Sequence, residues 1–196
     1  MREPVELRLS PLVSSLRDAV RRELRPPFAV FGHSMGALLA FELARALRAA
    51  GDTEPALLVV SGYRAPHLPD VDEPVHTLDD RGLRARLGEM AGTPAEVLQD
   101  DALCELILPI VRADFEVCET YVYVPEAPLD IPIVVYRGED DHRVSERTAR
   151  LWREHTTSSC TVRTFPGDHF FVRSARTPVL ADLRRRCQAL VGAAAG

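Results

Sequence analysis

Hydrophobic and polar positions follow two rhythms along this chain. Over residues 10–23, Leu12, Val13, Leu16, Ala19 and Val20 recur at helical spacing. Pro26-Pro27 ends that segment, and residues 28–31 follow as a short apolar run that suits a strand. Over 37–47 the pattern is helical again. Glu42, Arg45 and Arg48 form one narrow polar stripe and nearly everything else is apolar, so the helix is expected to be buried on most sides, as when it packs on a sheet. Gly51 suits its C-terminal cap. Residues 56–60, Ala-Leu-Leu-Val-Val, are apolar without alternation, the pattern of a parallel strand covered on both faces.

A segment without strand signals runs from about 66 to 123. Within it, Thr93-Pro94-Ala95-Glu96 has a capping-box arrangement with Pro at the first helical position. Residues 101–121 read as a further helix, with Pro109 inside it, and 79–123 as a helical insertion. The sheet pattern resumes at 131–136, where Pro132 stands near the strand start and a missing donor is tolerated. A helix is expected over 146–154, a last strand over 161–165, and a last helix over 178–190 with Thr177 as N-cap. Strand–helix alternation with buried apolar runs predicts an α/β fold around a mostly parallel sheet. At 196 residues the expectation is a single domain, 1–196.

Composition narrows the partners. A net charge of −5 argues against a nucleic-acid surface. All 24 basic residues are Arg and the chain has neither Lys nor Asn, a codon signature of a GC-rich genome. Cys104, Cys118, Cys160 and Cys187 are scattered with no C-x-x-C pair, so reduced, mostly buried thiols are expected and neither disulfides nor a zinc site. No apolar run approaches the ~18 residues of a membrane span, and Met1-Arg2-Glu3-Pro4 does not open a signal peptide. These features predict a cytoplasmic protein with no membrane contact.

The chemistry starts at Gly32-His33-Ser34-Met35-Gly36, a G-x-S-x-G turn between the 28–31 strand and the 37–47 helix. That context is the one in which a serine is presented as a nucleophile. A serine hydroxyl needs a base to take its proton, and the base needs a group to orient it. In α/β-hydrolases the chain order is Ser, then Asp or Glu, then His. Here the strand over 131–137 ends in Gly138-Glu139-Asp140-Asp141-His142, and the last strand ends in Phe165-Pro166-Gly167-Asp168-His169. Sites in open α/β sheets form beyond the carboxyl ends of strands, so Ser34, an acidic residue and His169 can converge. Asp141 is preferred over Asp140 and Glu139, against the plain reading of the cluster as a solvated turn. Asp168 adjoins the histidine it would have to hold, which makes it a poor orienter. His33 is expected to point elsewhere on the turn, and His67, His76, His142 and His155 to have loop or surface roles.

Four separated motifs carry a family resemblance. Residues 32–37, Gly-His-Ser-Met-Gly-Ala, and 61–67, Ser-Gly-Tyr-Arg-Ala-Pro-His, come first. Residues 108–115, Leu-Pro-Ile-Val-Arg-Ala-Asp-Phe, and 165–171, Phe-Pro-Gly-Asp-His-Phe-Phe, follow. Together, over about 27–172, they resemble the type II thioesterases of polyketide synthase and nonribosomal peptide synthetase pathways, stand-alone α/β-hydrolases. The resemblance implies hydrolysis of acyl thioesters on the phosphopantetheine arm of acyl or peptidyl carrier proteins. It implies Ser34 as nucleophile, His169 as base and Asp141, in Gly138-Glu139-Asp140-Asp141, as its partner; His142 stands where the family often has Pro. The 79–123 insertion matches the family's lid, with Leu83, Leu87, Met90, Leu98, Leu106 and Ile107 as candidate lid residues. No metal or organic cofactor is implied, and no substrate-binding residue is singled out. One oxyanion donor would be the backbone N–H of Met35, at the start of a helix.

The second donor in such enzymes comes from a Gly-rich loop after an early strand, and here Gly32 is the first glycine of the chain. The sequence is therefore expected to lack the N-terminal strands, leaving 28–31 as an exposed apolar edge. Met1 is read as an internal residue of a longer enzyme whose start was assigned too late. The alternatives are a truncated gene, whose product is inactive or depends on a partner covering the edge, or a designed fragment. Two further readings of function stand beside the thioesterase: a general serine esterase or acyltransferase of the same fold, and a non-catalytic, carrier-protein-binding remnant.

Overall fold

The computed structural model describes residues 6–70, 73–90 and 92–194. Its sheet has four strands, β1 (Ala29–His33), β2 (Leu57–Ser61), β3 (Ile133–Gly138) and β4 (Cys160–Phe165). They lie in the order β1-β2-β3-β4, and every pair is parallel. The chain is an α/β fold. The two central strands carry the uninterrupted apolar runs: all five residues of β2 are buried, and so are five of the six in β3. The edge strands are mixed. Phe31 on β1 is 42% exposed, and β4 alternates half-buried and exposed positions before Phe165.

Contacts divide the described residues into two compact units, those within 13–68 and 123–196, and those within 1–12 and 69–122. The larger unit holds the sheet. Side chains of consecutive strand residues point to opposite faces, and one face is built from Leu57, Val59, Val134, Tyr136 and Phe165. It is covered by α7 (Phe171–Ser174) through Phe171, by Ala175, which joins the two helices, and by α8 (Arg176–Ala194) through Val179. Helix α2 (Met35–Ala49) packs against β1 and β2 on the other face and buries Leu38, Ala44 and Leu47 completely. Each such leucine contributes about 1.5–3 kcal/mol relative to an exposed one. Gly51 ends α2 at φ 67°, with the N–H of Gly51 on the carbonyl of Arg48 and the N–H of Asp52 on that of Leu47, a Schellman motif. The polar stripe of α2 is not solvated throughout: Arg45 is buried and binds Glu42 (2.6 Å), Glu126 (2.7 Å) and the Val124 carbonyl (2.6 Å).

The second unit contains α3 (Asp80–Glu89), α4 (Ala95–Gln99) and α5 (Asp101–Glu119) around Val75, Leu83, Leu87, Cys104 and Leu108. Asp79 and Asp100 cap α3 and α5, accepting from the N–H of Gly82 and Leu103. The Glu119 carboxylate takes the N–H of Val75 and of His76, which ties the loop before α3 to α5.

Several local expectations are corrected. The capping box at Thr93 does not form; Pro94 itself is the N-cap residue of α4, without a side-chain bond. The last helix begins at Arg176, so Thr177 lies inside it. Helix α6 spans only Glu146–Arg150 and tightens into a 3-10 turn, Leu151–His155. Cys104 is buried, but Cys118 and Cys160 are half-buried and Cys187 is exposed, so the thiols are not mostly buried. His155 is no surface residue. It is 4% exposed, its ring set against Phe41, Tyr123 and Trp152, with its Nε2 2.7 Å from Nδ1 of His67.

Candidate active site

Ser34 stands between β1 and α2 with φ 54° and ψ −124°, a strained backbone that a non-glycine residue holds only where its surroundings fix it. The fixing is visible. The N–H of Ser34 donates to the carbonyl of Ser61 at the end of β2 (2.8 Å), and its own carbonyl accepts from Ala37 (2.9 Å). Across the turn, Gly32 meets Gly36. A Cβ on Gly32 would stand 1.8 Å from the Gly36 carbonyl oxygen, whereas one on Gly36 meets nothing within 4 Å. The first glycine of the motif is thus the one the turn geometry requires.

Two further loops end beside it. The loop after β3 is laced to the loop after β4 by the N–H of Glu139 on the carbonyl of Phe165 (2.8 Å) and the N–H of Asp140 on that of Gly167 (3.0 Å). The approach is so close that a Cβ on Gly138 would lie 2.3 Å from the Asp168 carbonyl oxygen. This lacing sets Asp141 and His169 together. His169 Nδ1 is 3.1 Å from Asp141 Oδ2, and His169 Nε2 is 3.1 Å from Ser34 Oγ. The structure therefore brings Ser34, His169 and Asp141 into one hydrogen-bonded chain.

The neighbours of Asp141 diverge from it. Glu139 and Asp140 are exposed, while the Asp141 side chain is fully buried. Burial opposes its charge. The hydrogen bond and charge of His169, together with the N–H of Arg143 on Oδ1 (3.0 Å) and that residue's charge, nevertheless hold its carboxyl below the usual carboxylate range. Asp168 turns away and accepts the N–H of Phe170 (2.8 Å), a local structural bond. Met35 is the first residue of α2, where N–H groups have no carbonyl behind them within the helix.

Sequence reasoning missed the contacts beneath the base. His33 does not point elsewhere: its ring lies 5.1 Å from that of His169, centroid to centroid, and its Nδ1 is 2.9 Å from Ser61 Oγ. Gly62, with φ 62°, leaves room for both rings. The Ser61-Gly62 pair after an apolar run was the only sequence signal for this. Among the described residues, no group of three or more His, Cys, Asp or Glu side chains is placed to hold a metal ion, and no helix is long and apolar enough to cross a membrane.

A family model described as the thioesterase domain matches residues 2–187. The linear gramicidin dehydrogenase LgrE of Brevibacillus parabrevis is 39% identical over 194 residues, 97% of this chain and 74% of that protein. The solved structure of the RedJ thioesterase, from the prodiginine biosynthetic pathway in Streptomyces coelicolor, superposes with a TM-score of 0.84 at 38% identity, covering 90% of this chain and 70% of that one. The type II thioesterase BorB from the borrelidin biosynthetic cluster has the same score and identity and covers 94% of this chain and 74% of its own. This chain spans about three quarters of each relative's length.

Proposed function

The chain belongs to the thioesterase-domain family, and from that premise we propose that it hydrolyses acyl thioesters carried on the phosphopantetheine arm of acyl or peptidyl carrier proteins. The relatives RedJ and BorB are a thioesterase and a type II thioesterase of biosynthetic pathways, and the corresponding role here is editing in a polyketide or nonribosomal peptide pathway in the cytoplasm.

The observation that carries the reading is the hydrogen-bonded chain from Ser34 Oγ through His169 to Asp141, at 3.1 Å in both links. It supplies what acyl transfer needs. Ser34 Oγ attacks the thioester carbonyl while His169 Nε2 takes its proton, and Asp141 at Nδ1 orients the ring and balances the imidazolium. The tetrahedral oxyanion meets the N–H of Met35 at the positive end of α2. Collapse expels the pantetheine sulfur, which takes the proton from the His169 imidazolium and leaves as the thiol, and an acyl-serine ester remains. His169, neutral again, takes a proton from water as the water attacks that ester, then returns it to Ser34 Oγ as the acid is released. The name of LgrE denotes hydride transfer, but a nucleophile linked to a proton relay is the equipment of acyl transfer.

The test compares turnover of an acyl-carrier protein, a small acyl-pantetheine thioester and a p-nitrophenyl ester. Preference for the carrier-bound thioester is expected. A strong preference for the oxygen ester would replace the reading with a general serine esterase. Carrier-protein binding without fluorophosphonate labelling of Ser34 would replace it with a non-catalytic binding module.

A further inference from the structure

We propose that His33 is a positioning residue for His169, a ring packed against the base that holds its orientation. The proposal rests on the reading of Ser34, His169 and Asp141 as the reacting groups. His169 is held at its two ring nitrogens, by Ser34 Oγ and Asp141 Oδ2. Those two bonds and the covalent tether at Cγ orient the ring, but small rotations about its χ1 and χ2 still tip the plane and swing the Nε2 lone pair off Ser34. A lateral contact limits that tipping. His33 supplies it, with ring centroids 5.1 Å apart and planes 39° apart.

His33 is itself anchored. Its Nδ1 meets Ser61 Oγ at 2.9 Å, and Ser61 is fully buried at the end of β2. The ring also meets that of Phe171 at a centroid distance of 5.7 Å and an angle of 82°. A Cβ on Gly62 would lie 2.7 Å from Cε1 of His33 and 3.2 Å from Cε1 of His169, so the strand end is cut back to admit both rings. The position is thus determined from the sheet outward: β2 holds His33, and His33 holds the base.

The same surroundings keep His33 neutral. Its Nε2 is buried with no hydrogen-bond partner. The groups facing it are His169 and Asp141 from the loops after β4 and β3, Ser61 from β2, and Phe171 from α7. Burial first, and then the charge of His169, lower its pKa to about 4, against the opposing pull of Asp141 and of the His169 backbone. A ring that stays neutral adds no positive charge next to the imidazolium formed when His169 takes the serine proton.

The test is His33→Asn. The amide nitrogen of Asn takes the place of Nδ1 and keeps the bond to Ser61, while the half of the ring lying on His169 is removed. With active sites counted by fluorophosphonate labelling, kcat on an acyl thioester is expected to fall roughly 10–100-fold with KM little changed, the cost of a misoriented base. The low-field proton NMR resonance of the His169 Nδ1–H bound to Asp141 is expected to broaden or vanish. Unchanged kcat and an unchanged resonance would overturn the proposal, whatever happens to thermal stability. Should His33→Asn fail to fold, Ser61→Ala, which frees the His33 ring, is expected to lower kcat in the same direction and weaken the resonance; no change in either refutes positioning. If the unaltered chain cleaves no thioester, the functional reading fails, while the NMR comparison still decides the inference.

Discussion

Gly32→Ala probes the turn that presents Ser34. The added Cβ would stand 1.8 Å from the Gly36 carbonyl oxygen, 2.2 Å from its carbonyl carbon and 2.7 Å from the nitrogen of Ala37. All three are backbone atoms, so no side-chain rotation relieves the clash. Cβ contacts under 3.0 Å essentially do not occur, so the end of β1 and the start of α2 must move apart by about 1.2 Å, from 1.8 to 3.0 Å. Ser34 lies midway between them, and its Oγ is 3.1 Å from His169 Nε2. A displacement of ~1 Å in such a contact costs about 10²-fold in rate, close to 3 kcal/mol of barrier, and the overpacking costs a further ~1–3 kcal/mol of stability. The assay is thiol release from an acyl-pantetheine substrate, with circular dichroism to establish folding and fluorophosphonate labelling to count sites. A folded variant within threefold of the parent rate would refute the argument from Gly32. Gly36→Ala is the contrast: its Cβ meets nothing within 4 Å, and Ala favours the first turn of α2. It is expected to fold at least as stably as the parent, and a large loss of melting temperature there would contradict the same geometry.

Other outcomes follow from the site and the core. Asp141→Asn removes the charge that orients His169 and is expected to lower kcat by about 10³–10⁴-fold while the chain stays folded, measured by steady-state kinetics beside a melting curve. His155, held neutral by burial first and then by the charges of His67 and Arg45, has its pKa lowered to about 4. The unfolded chain therefore takes up that proton first, and stability is lost as pH falls from about 6.5 to 4, by on the order of 3 kcal/mol. Buried carboxylates with lowered pKa, such as Asp141, lose their contribution only below that window. Urea titrations at stepped pH are expected to show the slope, to which His33 adds over the same window, and His155→Gln to reduce it by about half; an equal slope in the variant refutes the assignment. Tyr136→Phe removes a donor from buried Asp182, 2.5 Å away, and leaves it to Arg186, Arg185 and Arg163. A loss of about 1–3 kcal/mol, seen as a melting temperature several degrees lower, is expected.

Where the sequence was readable, the reason is local. The central strands announced themselves because both faces are buried, so Leu57-Leu58-Val59-Val60 and Ile133-Val134-Val135 needed no polar alternation. Ser34 was legible because the strand-turn-helix around it is contiguous, and Asp141 and His169 because each follows a strand end by a few residues. What stayed hidden depends on distant partners. His155 looked like a surface residue in a charged stretch, yet Phe41, more than a hundred positions earlier, covers it. The direction of the His33 ring is set by Ser61 and Gly62 at the end of another strand. Helix α7 is four residues long, too short for any periodicity to reveal. Thr93 offered a capping side chain, but Pro94 took the N-cap position and the helix began one residue later.

The proposed chemistry places the acyl group on Ser34 between thioester and water. Intact-protein and peptide mass spectrometry of the chain quenched during turnover of an acyl-pantetheine thioester tests it most directly. A transient acyl mass is expected on the peptide containing Ser34, with none in Ser34→Ala and thiol release at background in that variant. Thioester cleavage in Ser34→Ala at the parent rate, or turnover with no acyl mass on that peptide and no labelling of Ser34 by a fluorophosphonate, would contradict it.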